Sequence, residues 1–277
     1  MNLRIFFDVD TQNDFMNIDG ALYVPDAELI KPNLKLLTDF AKANFIPVLG
    51  SGDRHFGTPE FKHREGELKR WGGPFHNHCM DGTMGQLHIE ETTLEPVYGR
   101  VADEISINGN DLGLYISHNL FHNIPEDILN KIIEEDEKLG AFSREELLQM
   151  ANSRESKTGI SPHLLKRALN RINIIFEKRN RPEGIYIEKQ SYDVFTNPMA
   201  EELLLRGRVK EAVVYGVATD YAVKSAAIGM QKRGIQTFVV IDAANGMAPE
   251  TTRAALEEMT ATGCKIVTTE DILEVRV

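Results

Sequence analysis

Short apolar runs recur along the chain, and most of them are continuous rather than alternating. They fall at residues 3–7, 45–49, 185–187, 212–215, 237–241 and 265–267. Continuous runs rich in Val, Ile and Phe suit parallel strands covered on both faces. The segments between them carry helical spacing. Ile30, Leu34, Leu37 and Phe40 share one helix face. Further helices are expected at 199–205, at 222–233 closed by Gly234, and at 249–262, with Pro249 near its start and Gly263 just past its end. Strand–helix alternation with short connections predicts βαβ units. The expected fold is therefore a three-layer α/β/α domain around a mostly parallel six-stranded sheet.

Residues 101–181 break this rhythm. A short strand at 115–116 is followed only by helix signals: Pro125 opening 126–139, Ser143 with Glu146 as a capping box, and Ser161-Pro162 opening a segment to Lys178. The segment reads as a helical insertion in a single domain spanning 1–277. Packing or an oligomer contact suits it better than a lid.

Composition narrows the function classes. The chain has 277 residues and a net charge of −11, which disfavours binding to nucleic acid. Two cysteines, Cys79 and Cys264, cannot build a secreted disulfide framework. No apolar run approaches the ~18 residues that span a bilayer. The apolar stretch before Asp8 is too short for a secretory signal. The expected setting is cytoplasmic, with a small-molecule partner and no membrane.

Four clusters could carry chemistry. Residues 8–15, Asp-Val-Asp-Thr-Gln-Asn-Asp-Phe, follow the first strand, where a carboxylate faces the ligand crevice of an open α/β sheet. Gly52-Asp53-Arg54-His55 follows the second strand, and Trp71 to Cys79 includes His76 and His78. One carboxylate and two imidazoles make an open metal site, with His63, His76 and His78 competing for the third position. Lys189 lies just past the third expected strand, where it could fix a carboxylate or a thiolate. Residues 216–223, Gly-Val-Ala-Thr-Asp-Tyr-Ala-Val, lead from a strand into a helix and could offer backbone N–H groups to an oxyanion.

Together these clusters resemble the nicotinamidase branch of the isochorismatase-like cysteine hydrolases, over about 3–100 and 184–271. The pattern Asp-x-Gln-x-Asp-Phe matches residues 10–15, Asp-x-His matches Asp53 and His55, and Trp…His-Cys-x-x-Gly-Thr-x-Gly matches Trp71 and residues 78–85. Lys-x-x-Tyr-x-x-Phe matches Lys189, Tyr192 and Phe195. The resemblance implies Asp10 as base, Lys189 as its partner, and a divalent metal (zinc first, iron or manganese next) on Asp53, His55 and His78. It implies an oxyanion hole at Ala218 and Ala222, shaped by a cis peptide at 217–218. It also implies Phe15 and Trp71 as walls for an aromatic ring, a homo-oligomer, and hydrolysis of nicotinamide to nicotinate and ammonia within NAD metabolism.

One position departs. Ala222 stands where the family carries its nucleophilic Cys. A methyl group can neither lose a proton nor form a thioester, so the chain as written is expected to be inactive by that route. Three readings follow: a Cys→Ala replacement in a nicotinamidase, a natural ligand-binding pseudoenzyme, or an isochorismatase-type vinyl-ether hydrolase using the Asp as general acid. The Asp-x-His pair counts against the last. Cys79, beside a metal-ligand position, does not suit a relocated nucleophile.

Overall fold

The computed structural model describes residues 3–93 and 184–274. The strand and helices expected within 101–181 lie outside the described residues.

Six strands form one parallel sheet. They are β1 (Leu3–Val9), β2 (Val48–Asp53), β3 (Gly184–Lys189), β4 (Val209–Val217), β5 (Gln236–Asn245) and β6 (Lys265–Val267). Their order is β3-β2-β1-β4-β5-β6, and every pairing is parallel. The order reverses between β1 and β4, and at such a switch point the carboxyl ends of the strands diverge into a crevice.

Period-two alternation sends the two sides of each strand into different cores. Ile5, Phe7 and Val9 of β1 pack with α3 (Pro198–Arg206), α4 (Lys224–Lys232) and α5 (Pro249–Thr262). Phe6 packs on the other face with α2 (Lys31–Ala43) and α6 (Thr269–Glu274), while the short α1 (Asn13–Met16) follows β1. Three layers result, as the sequence pattern predicts.

Most elements run a few residues beyond the pattern, and two boundaries differ in kind. The second strand starts at Val48, not at residue 45. Phe45 adopts a left-handed conformation at φ 55° and is 89% exposed. It closes α2: the Asn44 N–H donates to the Phe40 carbonyl, and the Ile46 N–H reaches back to the Ala41 carbonyl at 2.9 Å. The strand instead runs on through Gly50-Ser51-Gly52 to Asp53. At Gly50 a residue without a side chain is imposed by crowding. A Cβ on Gly50 would meet the Asp8 carbonyl oxygen at 2.5 Å and the Tyr186 ring at 2.6 Å. The helix expected at 222–233 opens with a π-turn over Thr219–Val223 before α4 begins. π-Turns of this kind often mark functional positions.

Candidate active site

The crevice is assembled from the ends of β1, β2, β3 and β4. Asp10 follows β1 in a left-handed conformation at φ 51°. Its N–H donates to the Ser51 carbonyl at 3.0 Å, and the Ser51 hydroxyl donates to Oδ1 at 2.7 Å. Its neighbour Asp8 serves a different purpose. That carboxylate accepts hydrogen bonds from Thr11 Oγ1 and Tyr186 OH, both at 2.9 Å, so it is held inside the protein by neutral donors.

Lys189, at the end of β3, is 1% exposed and lies between two carboxylates. Its Nζ is 2.7 Å from Asp10 Oδ2 and also contacts Asp53 Oδ1. Burial opposes its charge, but Asp10, Asp53 and Glu67 reverse that effect and raise the pKa. Asp10 responds in the opposite sense. Burial raises its carboxyl to about 6; the Lys189 charge pulls it down and Asp53 pushes it up. An Asp poised near neutrality can exchange protons at working pH. Asp53 is also buried, yet Lys189 and the neighbouring imidazoles hold its pKa low.

Gln12 joins β1 to this arrangement. Its side chain accepts from the Asp53 N–H at 2.7 Å and donates to the Asp53 carbonyl at 2.8 Å and the Gln86 carbonyl at 2.5 Å. Asp14 accepts from the Cys79 N–H at 2.6 Å, which fixes the turn carrying His78. The acidic and amide residues of the first motif therefore divide into one group facing the crevice and two that hold its walls.

On the β2 side, Asp53, His55, Glu67 and His78 offer ligand atoms all within 4.8 Å of one another. His55 Nε2 is 3.2 Å from Glu67 Oε1 and 3.9 Å from Asp53 Oδ2. His78 Nε2 is 3.4 Å from Asp53 Oδ2 and 3.6 Å from Glu67 Oε1. His78 Nδ1 pairs with the His76 carbonyl at 2.7 Å, which aims Nε2 into the cluster. Burial lowers the His78 pKa, but hydrogen bonds that it donates to Asp53 and Glu67 carry it up to about 10. Both ring nitrogens of His55 are buried with no hydrogen-bond partner. Orphaned imidazole nitrogens beside two carboxylates fit a divalent cation, since mixed N and O donors suit zinc, iron or manganese.

The motif spacing does not reveal Glu67. It sits in a loop between the two matched patterns, and only the fold of that loop returns it to the cluster. A carboxylate twelve residues past His55 is a weak signal by itself. His76 and His63, rivals for a ligand position, are exposed and pair with Lys69 and Arg64 instead.

The cleft is half-open, with a cavity volume of about 40 Å³. Asp10, Asp53, Glu67 and His78 line it on the polar side, with Ala218 and Ala222 across from them at the β4 end. The peptide joining Val217 to Ala218 is cis. Gly216 makes the approach possible: its φ is 113°, and a Cβ there would lie 2.1 Å from the Val9 carbonyl oxygen. The apolar wall is aromatic, built from Phe15, Phe75, Tyr192 and Tyr221. Phe75 and Tyr221 meet edge to face at 5.4 Å, and Phe15 lies 5.3 Å from the His78 ring. Trp71 is not among the lining residues. Its ring faces the Lys62 and Arg70 cations and its Nε1 donates to Glu65 at 3.4 Å. Phe75, four residues later, contributes the wall expected of Trp71.

The sheet and its flanking helices agree with known proteins of one fold. The pyrazinamidase of Pyrococcus horikoshii, solved in complex with zinc, superposes with a TM-score of 0.57 at 20% identity, covering 96% of this chain and 98% of that one. An isochorismatase family protein from Desulfovibrio vulgaris superposes with a TM-score of 0.58 at 16% identity, covering 99% and 98%. The fold is isochorismatase-like. Residues 134–271, just under half of the chain, match the family described as Isochorismatase domain. A nicotinamidase/pyrazinamidase of Mycobacterium tuberculosis is 36% identical over 84 residues, which are 30% of this chain. The chain spans 45% of the length of that curated relative. No helix among the described residues is long and apolar enough to cross a membrane.

Proposed function

We propose that the chain carries a nicotinamidase-type site that binds one divalent metal and a small aromatic carboxamide, and that Ala222 blocks the covalent route to hydrolysis. The observation that carries this reading is the convergence on one cleft of Asp10, Ala222 and the Asp53–Glu67–His78 cluster, with Lys189 joining Asp10 to Asp53. The nicotinamidase/pyrazinamidase relative and the zinc-bound pyrazinamidase support the same class.

The residues divide the work. Asp53, His55, Glu67 and His78 would hold the metal, which supplies a Lewis-acidic point for a ring nitrogen or a water. The aromatic wall takes a flat ring. Asp10 holds or releases a proton beside residue 222, and Lys189 keeps that carboxylate in place. A thiol at 222 would give its proton to Asp10 and attack the carboxamide carbon; Asp10 would return that proton to the departing nitrogen as ammonia leaves, and a water would then hydrolyse the thioester to release the acid and restore the thiol. The methyl of Ala222 can do none of this, so ligand binding is retained and turnover is not. The metal ligands favour this reading over a metal-independent vinyl-ether hydrolase.

Metal analysis of the purified chain and calorimetry with nicotinamide test the reading. The expected result is one equivalent of zinc, iron or manganese, saturable nicotinamide binding, and no ammonia. Asp53→Ala should abolish metal retention and weaken nicotinamide. A parent without metal, whose nicotinamide binding is indifferent to Asp53→Ala, would refute it.

A further inference from the structure

His55 is the most enclosed member of the metal cluster, and its two ring nitrogens face different carboxylates. Nε2 points to Glu67 and Asp53. Nδ1 lies 3.8 Å from Glu65 Oε1, and both side chains are 0% exposed. Metal-ligating imidazoles commonly direct their second nitrogen at a carboxylate, which fixes ring orientation and tautomer. Glu65 is built into place for such a role. Its Oε1 accepts from the Phe56 N–H at 2.5 Å, and its Oε2 accepts from the Gly57 N–H at 3.0 Å and from Trp71 Nε1 at 3.4 Å. The first two donors are the backbone groups immediately after His55. One buried carboxylate thus holds the chain that carries His55, faces the ring of His55, and stands two residues from Glu67.

We propose that Glu65 is a positioning residue that aims His55 Nε2 at the metal, through the Nδ1 side of the ring and the backbone of residues 56–57. The proposal rests on the metal reading given above. It also gives Trp71 a place: the indole N–H supports Glu65 rather than the ligand cleft. The rival account is that Glu65 merely closes the loop, a role that would not depend on His55.

A double-mutant cycle separates the two. Zinc affinity is measured by chelator competition in the parent, Glu65→Gln, His55→Ala and the double variant, with thermal unfolding of the metal-free forms alongside. Loss of such an outer carboxylate lowers metal affinity by about 10- to 100-fold. That loss is expected with His55 present and should shrink to less than about threefold in the His55→Ala background. Equal losses in both backgrounds, or a folded Glu65→Gln chain with unchanged affinity, would overturn the proposal. Glu65→Asp serves if the Gln variant does not fold. It keeps the charge but withdraws it, so a smaller loss is expected, again only with His55 present, and unchanged affinity overturns the proposal. A parent chain that binds no zinc removes the metal reading itself, whereas zinc binding insensitive to Glu65 removes only this inference.

Discussion

The two walls of the cleft are built differently. The wall at the end of β2 and its following loop is charged, buried and cross-tied: Asp53, His55, Glu67 and His78 within 4.8 Å, backed by Gln12, Asp14 and Glu65. The wall at the end of β4 is made of backbone and small side chains, with a cis peptide, a π-turn and the methyl group of Ala222. The first wall has what is needed to hold a cation and a ligand. On the function proposed above, the second is where a nucleophile would stand, and its position is held by Ala222. Binding and turnover are thus separable properties of the two walls, and each can be tested without rebuilding the other.

The largest effect is expected on the β4 wall. Ala222→Cys should raise ammonia release from nicotinamide from background by several orders of magnitude, the scale on which removing a nucleophile lowers rates. A coupled ammonia assay over a panel of carboxamides reads this. No gain, with metal and ligand still bound, would mean that the β4 wall is not a dormant reaction site.

Next is the link between the walls. Lys189→Met leaves Asp10 and Asp53 buried side by side without their shared cation. Breaking a buried charge cluster in this way costs about 3–5 kcal/mol, measurable as a lowered denaturant midpoint. A loss under about 1 kcal/mol would show that the carboxylates are not held by Lys189.

Asp10 gives a pH-dependent version of the same comparison. Its carboxyl is raised from 3.8 to about 6, so the folded chain holds the proton more tightly than the unfolded chain. The stabilisation is complete below pH 3.8 and is lost as pH rises through 6. At about 1.4 kcal/mol per unit the full swing is at most about 3 kcal/mol. Asp10→Asn, which cannot ionise, should therefore gain stability relative to the parent between pH 4 and 7. Unfolding free energies at several pH values test this, and a constant difference would refute it.

The smallest effect concerns the aromatic side. Phe75→Ala should weaken nicotinamide binding by about 2- to 10-fold, as loss of one aromatic pair does. Trp71→Phe should weaken that binding less than Phe75→Ala does, because Trp71 does not line the cleft and its indole N–H reaches Glu65 instead. Calorimetry on both variants decides which ring touches the ligand.

Much of the architecture is legible in local pattern. The strand 265–267 and the helix 249–262 coincide with their observed bounds, because an apolar run or a helical face is a short-range property of the chain. The strand 48–53 is harder to read. It is half glycine and serine, and at Gly50 the crowding of Asp8 and Tyr186 rather than strand propensity selects the residue. Asp10, Asp53 and His55 are legible as residues just past or at strand ends, whereas His78 is separated from His63 and His76 only by the family resemblance, not by spacing. Glu67 and Phe75 are not legible, since each lies in a loop whose path is set by contacts from elsewhere.

What the sequence determined alone was therefore the α/β/α order, the strand-end residues and the methyl at position 222, all encoded within a few consecutive residues. Which carboxylate completes the metal cluster, which ring forms the wall, and that Lys189 lies between Asp10 and Asp53 were decided only by the tertiary structure. Those facts depend on strand order and loop closure. Parallel pairing of β1 with β2 and of β2 with β3 brings together residues as far apart in the chain as 10 and 189, and no local pattern specifies that meeting.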